Sequence, residues 1–150
     1  MILETYDDYA SFCDLLNDAR RKHRMRIIAY NLLGNHFHLL LWPRGDHDLP
    51  RFMKRLEQMY AQRFHRKRGT VGCGAVFQCR YVSRGIDDHR KYLTVLMYVE
   101  RNARKHGLVE RAENWPWCSV WKGERIGPPV LLDDGPCARH ENWLDFLNDL

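Results

Sequence analysis

The sequence of 150 residues has no run approaching the ~20 consecutive apolar residues that a membrane-crossing helix needs. It opens MILETYDDY, without the basic start and apolar stretch of a secretory signal. Internal repeats and low-complexity tracts are lacking as well. Cysteine is present but unpatterned. Cys13, Cys73, Cys79, Cys118 and Cys137 are irregularly spaced, odd in number, and include no CxxC pair. That spacing argues against a disulfide framework, and the expectation is a cytoplasmic chain with free thiols.

What the sequence has in excess is positive charge: 24 Lys and Arg against 19 Asp and Glu give a net charge of +5. This favours a polyanionic partner without naming one. An apolar fraction of 45% is ordinary for a chain with a single core.

Apolar periodicity predicts a first helix over 7–23, with Phe12, Leu15, Leu16 and Ala19 as its stripe. Residues 26–33 and 36–42 read as two strands joined by a Gly34-Asn35 turn, the second ended by Pro43. Asp48 is the expected N-cap of a second helix carrying Phe52, Met53, Leu56, Tyr60 and Phe64 inward. Residues 75–83 read as a further strand. A third helix is expected from Asp87 or Asp88 to about residue 106, stopped by Gly107. Trp143 to Leu147 forms a short amphipathic stretch in an otherwise irregular tail. The pattern is α+β, with helices on one face of a sheet. Residues 1–121 are expected to form the domain and 122–150 a tail packing on or near it.

His36-Phe37-His38 carries the most chemistry. Side chains alternate along a strand, so both imidazoles share one face, where neutral rings can bind a divalent ion. The plainer reading is two histidines covering an exposed face. On the third helix, Tyr92, Val95, Leu96, Val99 and Ala103 share the apolar side. Tyr98 falls away from them, on a flank with Lys91, Thr94, Asn102 and Lys105. A tyrosine with a pKa near ~10 needs a base or a cation to become a nucleophile. Two imidazoles and the Asn102 amide would make a neutral three-donor set that leaves positions for phosphate oxygens.

These residues sit in a series of motifs: AYNLLGNHFHLLLW at 29–42, FQCRY at 77–81, YVERN at 98–102, GLV at 107–109 and NWPWCS at 114–119. In this order the chain, over about residues 7–121, resembles the REP-associated tyrosine transposases, relatives of the single-strand insertion-sequence transposases. The resemblance implies a ferredoxin-like fold of the HUH type. It implies His36 and His38 as paired metal ligands, Asn102 as a further ligand and Tyr98 as nucleophile. It also implies cleavage of single-stranded DNA near hairpins through a 5′-phosphotyrosine link, with Mg2+ or Mn2+. Imidazole chemistry alone leans toward manganese or zinc. The protein is expected to be nucleoid-associated, as a monomer or homodimer, with no membrane partner.

The chain departs from that pattern twice. Family members usually carry a strand upstream of the first helix, and without it the sheet has a bare edge that favours self-association. Asn102 is followed by Ala103-Arg104 where Pro-Val is usual, a change expected to lengthen the helix. The second helix and its exit carry Arg51, Lys54, Arg55, Arg63, Arg66, Lys67 and Arg68, offset within the helix only by Glu57, and these are the expected phosphate contacts. Trp115, Trp117 and Trp121 are read as packed under a loop in preference to stacking on bases. The alternative functions are a DNA-binding relative without cleavage and a zinc-stabilised module built on His36, His38 and cysteines.

Overall fold

The structure is a computed structural model and describes residues 1–124 and 129–149. Helix α1, Tyr6–His23, starts at a complete capping box in which Thr5 and Asp8 exchange bonds with each other's backbone. It leads into an antiparallel pair, β1, Arg26–Leu32, and β2, Phe37–Trp42. Helix α2 spans Asp48–Arg68 and ends at Gly69, whose φ of +64 is the left-handed cap that glycine supplies. After a long irregular segment come α3, His89–Glu100, and the single turn α4, Asn102–Lys105. A short 3-10 turn at Ala112–Asn114 and helix α5, Trp143–Asn148, complete the chain. This is an α+β fold, a two-stranded antiparallel sheet with helices packed on it, consistent with a ferredoxin-like HUH fold lacking an N-terminal strand.

The helices lie on both faces of the sheet, where one face was expected. Ile27, Tyr30, Leu32, Phe37, Leu39 and Leu41 point into a core with α1 and α2. Ile28, Ala29 and Leu40 point the other way, to Tyr92, Leu96 and Val99 of α3 and Trp143 and Leu147 of α5. A bulge between Ile27 and Ala29 sets this division, because the extra residue shifts the alternation of β1. Downstream of it, Asn31 stands opposite His38.

Several other expectations fail locally. Residues 75–83 are irregular rather than a strand, because no neighbouring ladder takes them up among the described residues. They lay Val76, Phe77 and Tyr81 against the first core and leave Val82 exposed. His47, not Asp48, occupies the cap of α2, and the Asp48 carboxylate instead accepts from the Gly45 N–H at 2.8 Å. The third helix ends at Glu100 and resumes at Asn102, so it is broken rather than lengthened. Residues 117–119 occupy part of the free side of β1: Leu32 donates to the Trp117 carbonyl and Ser119 to that of Tyr30. Further along that edge, the Asp133 N–H donates to the Ile27 carbonyl.

Two buried carboxylates hold the layers. Asp8 accepts from the N–H groups of Glu4 and Thr5 and from Arg68 and Lys67 of α2. Burial alone would raise its pKa, but the bonds to Arg68, the two backbone amides and Lys67 outweigh it and hold the carboxyl well below its ordinary 3.8. Glu100 has no exposed surface and accepts from Ser119 Oγ at 2.7 Å, Arg139 Nη2 at 2.5 Å and Trp143 Nε1 at 2.6 Å.

Because the folded pKa of Asp8 is depressed, its contribution is complete above the unfolded value of 3.8 and is lost as pH falls from there through the folded value. Urea titrations between pH 6 and pH 2 are expected to show this loss, and Asp8→Asn to flatten it. Glu100→Ala strands the Arg139 guanidinium and two donors, and unfolding free energies are expected to fall by about 3 kcal/mol.

Candidate active site

His36, just before β2, and His38 within it face the α3 side of the sheet, and the rings lie 5.0 Å apart, edge to face. The Tyr98 ring lies 5.3 Å from that of His38, again edge to face. Tyr98 keeps 42% of its surface exposed, so its phenol is reachable from solvent while its ring packs on the imidazole. Lys105, seven residues further along, sits with Nζ 4.8 Å from the Tyr98 ring centre, a cation–π placement. Sequence reading had placed Lys105 on the same flank as Tyr98 but gave it no part in a site.

His106 is a residue that the sequence reading missed, having taken it only as a helix end. Its ring is 5.8 Å from that of His36. The available signal was its place four residues after Asn102, one turn along the same side.

The His36 and His38 imidazoles are both shifted toward the neutral form. Burial, followed by the positive charge of His36, His106 and Lys105, pushes the His38 pKa down to about 4. Burial and then His106 lower that of His36. His36 Nδ1 meets Asn35 Oδ1 at 2.6 Å, a bond that fixes this nitrogen as the donor and frees Nε2 as an acceptor or ligand.

Asn102 is not on the exposed flank with Tyr98, as four-residue spacing predicted. It is fully buried, and the helix is interrupted between them at Arg101. Both atoms of its amide, together with His38 Nε2, are buried without a hydrogen-bond partner among the described residues. Buried polar atoms of this kind are costly unless they meet a partner, and a neutral nitrogen and an amide oxygen are both suitable donors to a divalent cation. The residues therefore fit such an ion. Among the described residues no group of three or more His, Cys, Asp and Glu side chains is arranged to hold a metal. Cys73 and Cys79 are free and exposed.

The basic residues of α2 divide into two groups. Arg55 bonds Asp18 at 2.8 Å, Arg63 bonds Ser11 Oγ at 3.0 Å, and Lys67 and Arg68 bond Asp8. These four tie α2 to α1. Arg51, Lys54 and Arg66 are exposed and make no such bond to α1 among the described residues. Trp115 and Trp117 are packed: Trp115 Nε1 donates to the Leu32 carbonyl at 2.8 Å, and Trp117 stacks on Tyr9. No helix among the described residues is long and apolar enough to cross a membrane.

Residues 3–102 match the family described as Transposase IS200 like. No curated protein matches, and no solved structure does. The matched span is two thirds of the chain and takes in His36, His38, Tyr98 and Asn102, so the chain belongs to the IS200-like transposases, enzymes that process DNA in transposition.

Proposed function

We propose that this chain nicks and rejoins single-stranded DNA at hairpin-forming sequences, with Tyr98 as nucleophile, in the manner of the REP-associated tyrosine transposases it resembles. The observation that carries the reading is the exposed Tyr98 phenol, with its ring 5.3 Å from the ring of His38. The core tyrosine Tyr60, by contrast, is buried and donates its hydroxyl to the Ile2 carbonyl at 2.6 Å.

In this mechanism the Tyr98 oxygen attacks phosphorus and the bond to the 3′ oxygen breaks. A 5′-phosphotyrosine forms; the phenol gives up its proton and the leaving 3′ oxygen takes one up to become a hydroxyl, so the step is proton-neutral. Rejoining is the reverse, with a 3′-hydroxyl attacking and the phenol released. His36, His38 and Asn102 would hold a divalent ion, Mg2+ or Mn2+, with manganese better matched to imidazole. When bound, that ion supplies charge neutralisation and polarisation at the scissile phosphate. The lowered imidazole pKa values favour the neutral form of both rings, which leaves one nitrogen of each unprotonated. Lys105 adds fixed positive charge next to the phenol, where negative charge develops.

The DNA path is proposed to run over the α2 cations, with Arg51, Lys54 and Arg66 available to phosphates. Arg55, Arg63, Lys67 and Arg68 can reach a phosphate only by sharing or leaving carboxylate and hydroxyl partners on α1.

Incubation with labelled hairpin-bearing single-stranded DNA and Mn2+ is expected to give a covalent protein–DNA adduct. Tyr98→Phe is expected to abolish the adduct and slow cleavage at least about 1,000-fold, and chelation to do the same. A folded parent protein that binds the DNA but forms no adduct would instead be a relative without cleavage. In salt titrations of DNA affinity, Arg51→Ala, Lys54→Ala and Arg66→Ala are each expected to lower the log–log slope by about 0.7. Their unfolding midpoints should stay at the parental value, whereas Arg68→Ala should lower stability.

A further inference from the structure

Helices α3 and α4 are separated by Arg101 alone, with φ −92 and ψ 1. Tyr98 and Asn102 are four residues apart and on an unbroken helix would share a face. Across the interruption Asn102 is fully buried while Tyr98 is exposed.

Both carbonyls preceding the break accept from side chains. Asn31 Nδ2 donates to the Val99 carbonyl at 2.9 Å, and Cys118 Sγ donates to that of Glu100 at 3.4 Å. Carbonyls at a helix end are the ones without intrahelical donors, so side chains that reach them determine where the helix stops. Asn31 and Cys118 are themselves partners in an isolated antiparallel bridge on the edge of β1, so the two donors stand side by side, directed at consecutive peptide groups. Asn31 is also the residue paired with His38 across the ribbon. Burial pushes the Cys118 thiol up to about 12, which keeps its donor hydrogen in place at neutral pH.

An apolar side chain at position 31 would serve the core better. The Asn31 amide has no exposed surface, and its Oδ1 has no partner among the described residues, so its desolvation is only half offset. Its return lies in geometry rather than stability.

We propose that Asn31 is a positioning residue for strand cleavage. With Cys118 it clasps the Val99 and Glu100 carbonyls, fixes the break at Arg101, and so holds Asn102 inward while Tyr98 faces the DNA. This rests on the reading of Tyr98 as nucleophile.

Two measurements on the full chain test it. Native-state hydrogen exchange of the DNA-free protein reads the clasp directly. Asn31→Leu is expected to speed exchange of the Arg101 to Ala103 amides about tenfold and leave those of α1 unchanged. Parental exchange at those amides overturns the clasp, whatever the activity. Single-turnover cleavage of hairpin-bearing single-stranded DNA with Mn2+ then reads the positioning. Asn31→Leu is expected to slow cleavage at least about tenfold with DNA affinity held within about twofold. Cys118→Ser keeps a donor and should retain most of the rate that Cys118→Ala loses. Cleavage by Asn31→Leu at the parental rate, or equal losses for the two Cys118 variants, sinks the positioning role. If Asn31→Leu does not fold, the Cys118 pair carries both measurements. A parent protein with no Tyr98-dependent adduct sinks the proposed function, and the exchange result still decides the clasp.

Discussion

A carboxylate taken wholly out of water has to be matched by donors on every side, and at Glu100 those donors come from parts of the chain far apart in sequence. Ser119 reaches it from the segment lying along β1, and Arg139 and Trp143 reach it from the C-terminal tail. Arg139 also donates to the carbonyl of Ile28, the extra residue of the β1 bulge. One charge thus joins the helix bearing Tyr98, the bulged strand and the tail. Glu100 lies two positions after Tyr98 and two before Asn102, so the rigidity demanded by a buried ion is delivered where the candidate site needs it.

The opposite face of the sheet is held by charge of another kind. Cations on α2 meet Asp8, Asp14 and Asp18 on α1, and most of these pairs are partly open to water. Such pairs contribute modestly and are screened by salt. They do set the orientation of α2, and with it the direction in which Arg51, Lys54 and Arg66 project. The same basic helix is therefore divided between architecture and the surface left for a polyanion.

Much of this was legible in the sequence, and the reasons for the remainder are physical. Phe12, Leu15, Leu16 and Ala19 repeat at helical spacing, and the structure buries all four. His36 and His38 share a strand face because alternation is local. Tyr98 lies off the apolar stripe of α3 and is exposed. The full burial of Asn102 was not legible from periodicity, which assumes an unbroken helix, whereas this one is interrupted at Arg101 beside bonds from Asn31 and Cys118, remote in sequence. The role of Asn31 was hidden in the same way, since the bulge at Ile28 changes which side of β1 it faces. Residues 75–83 have the composition of a strand, but a strand also requires a neighbour, which composition does not record. The charge excess on α2 was judged within one helix, whereas its balancing acids lie some forty to sixty positions earlier.

The Asp133 carboxylate accepts from the Ile27 N–H, 106 positions earlier in the chain, and binds Arg20 as well. On a ribosome the closing contact of the first strand therefore emerges 106 residues after the strand residue it meets. The helix–hairpin–helix unit is made first, with its outer strand unfinished, and waits for the segment around Asp133. Contacts of such long sequence separation slow folding, and the nascent chain spends that interval exposing a ladder open to foreign strands.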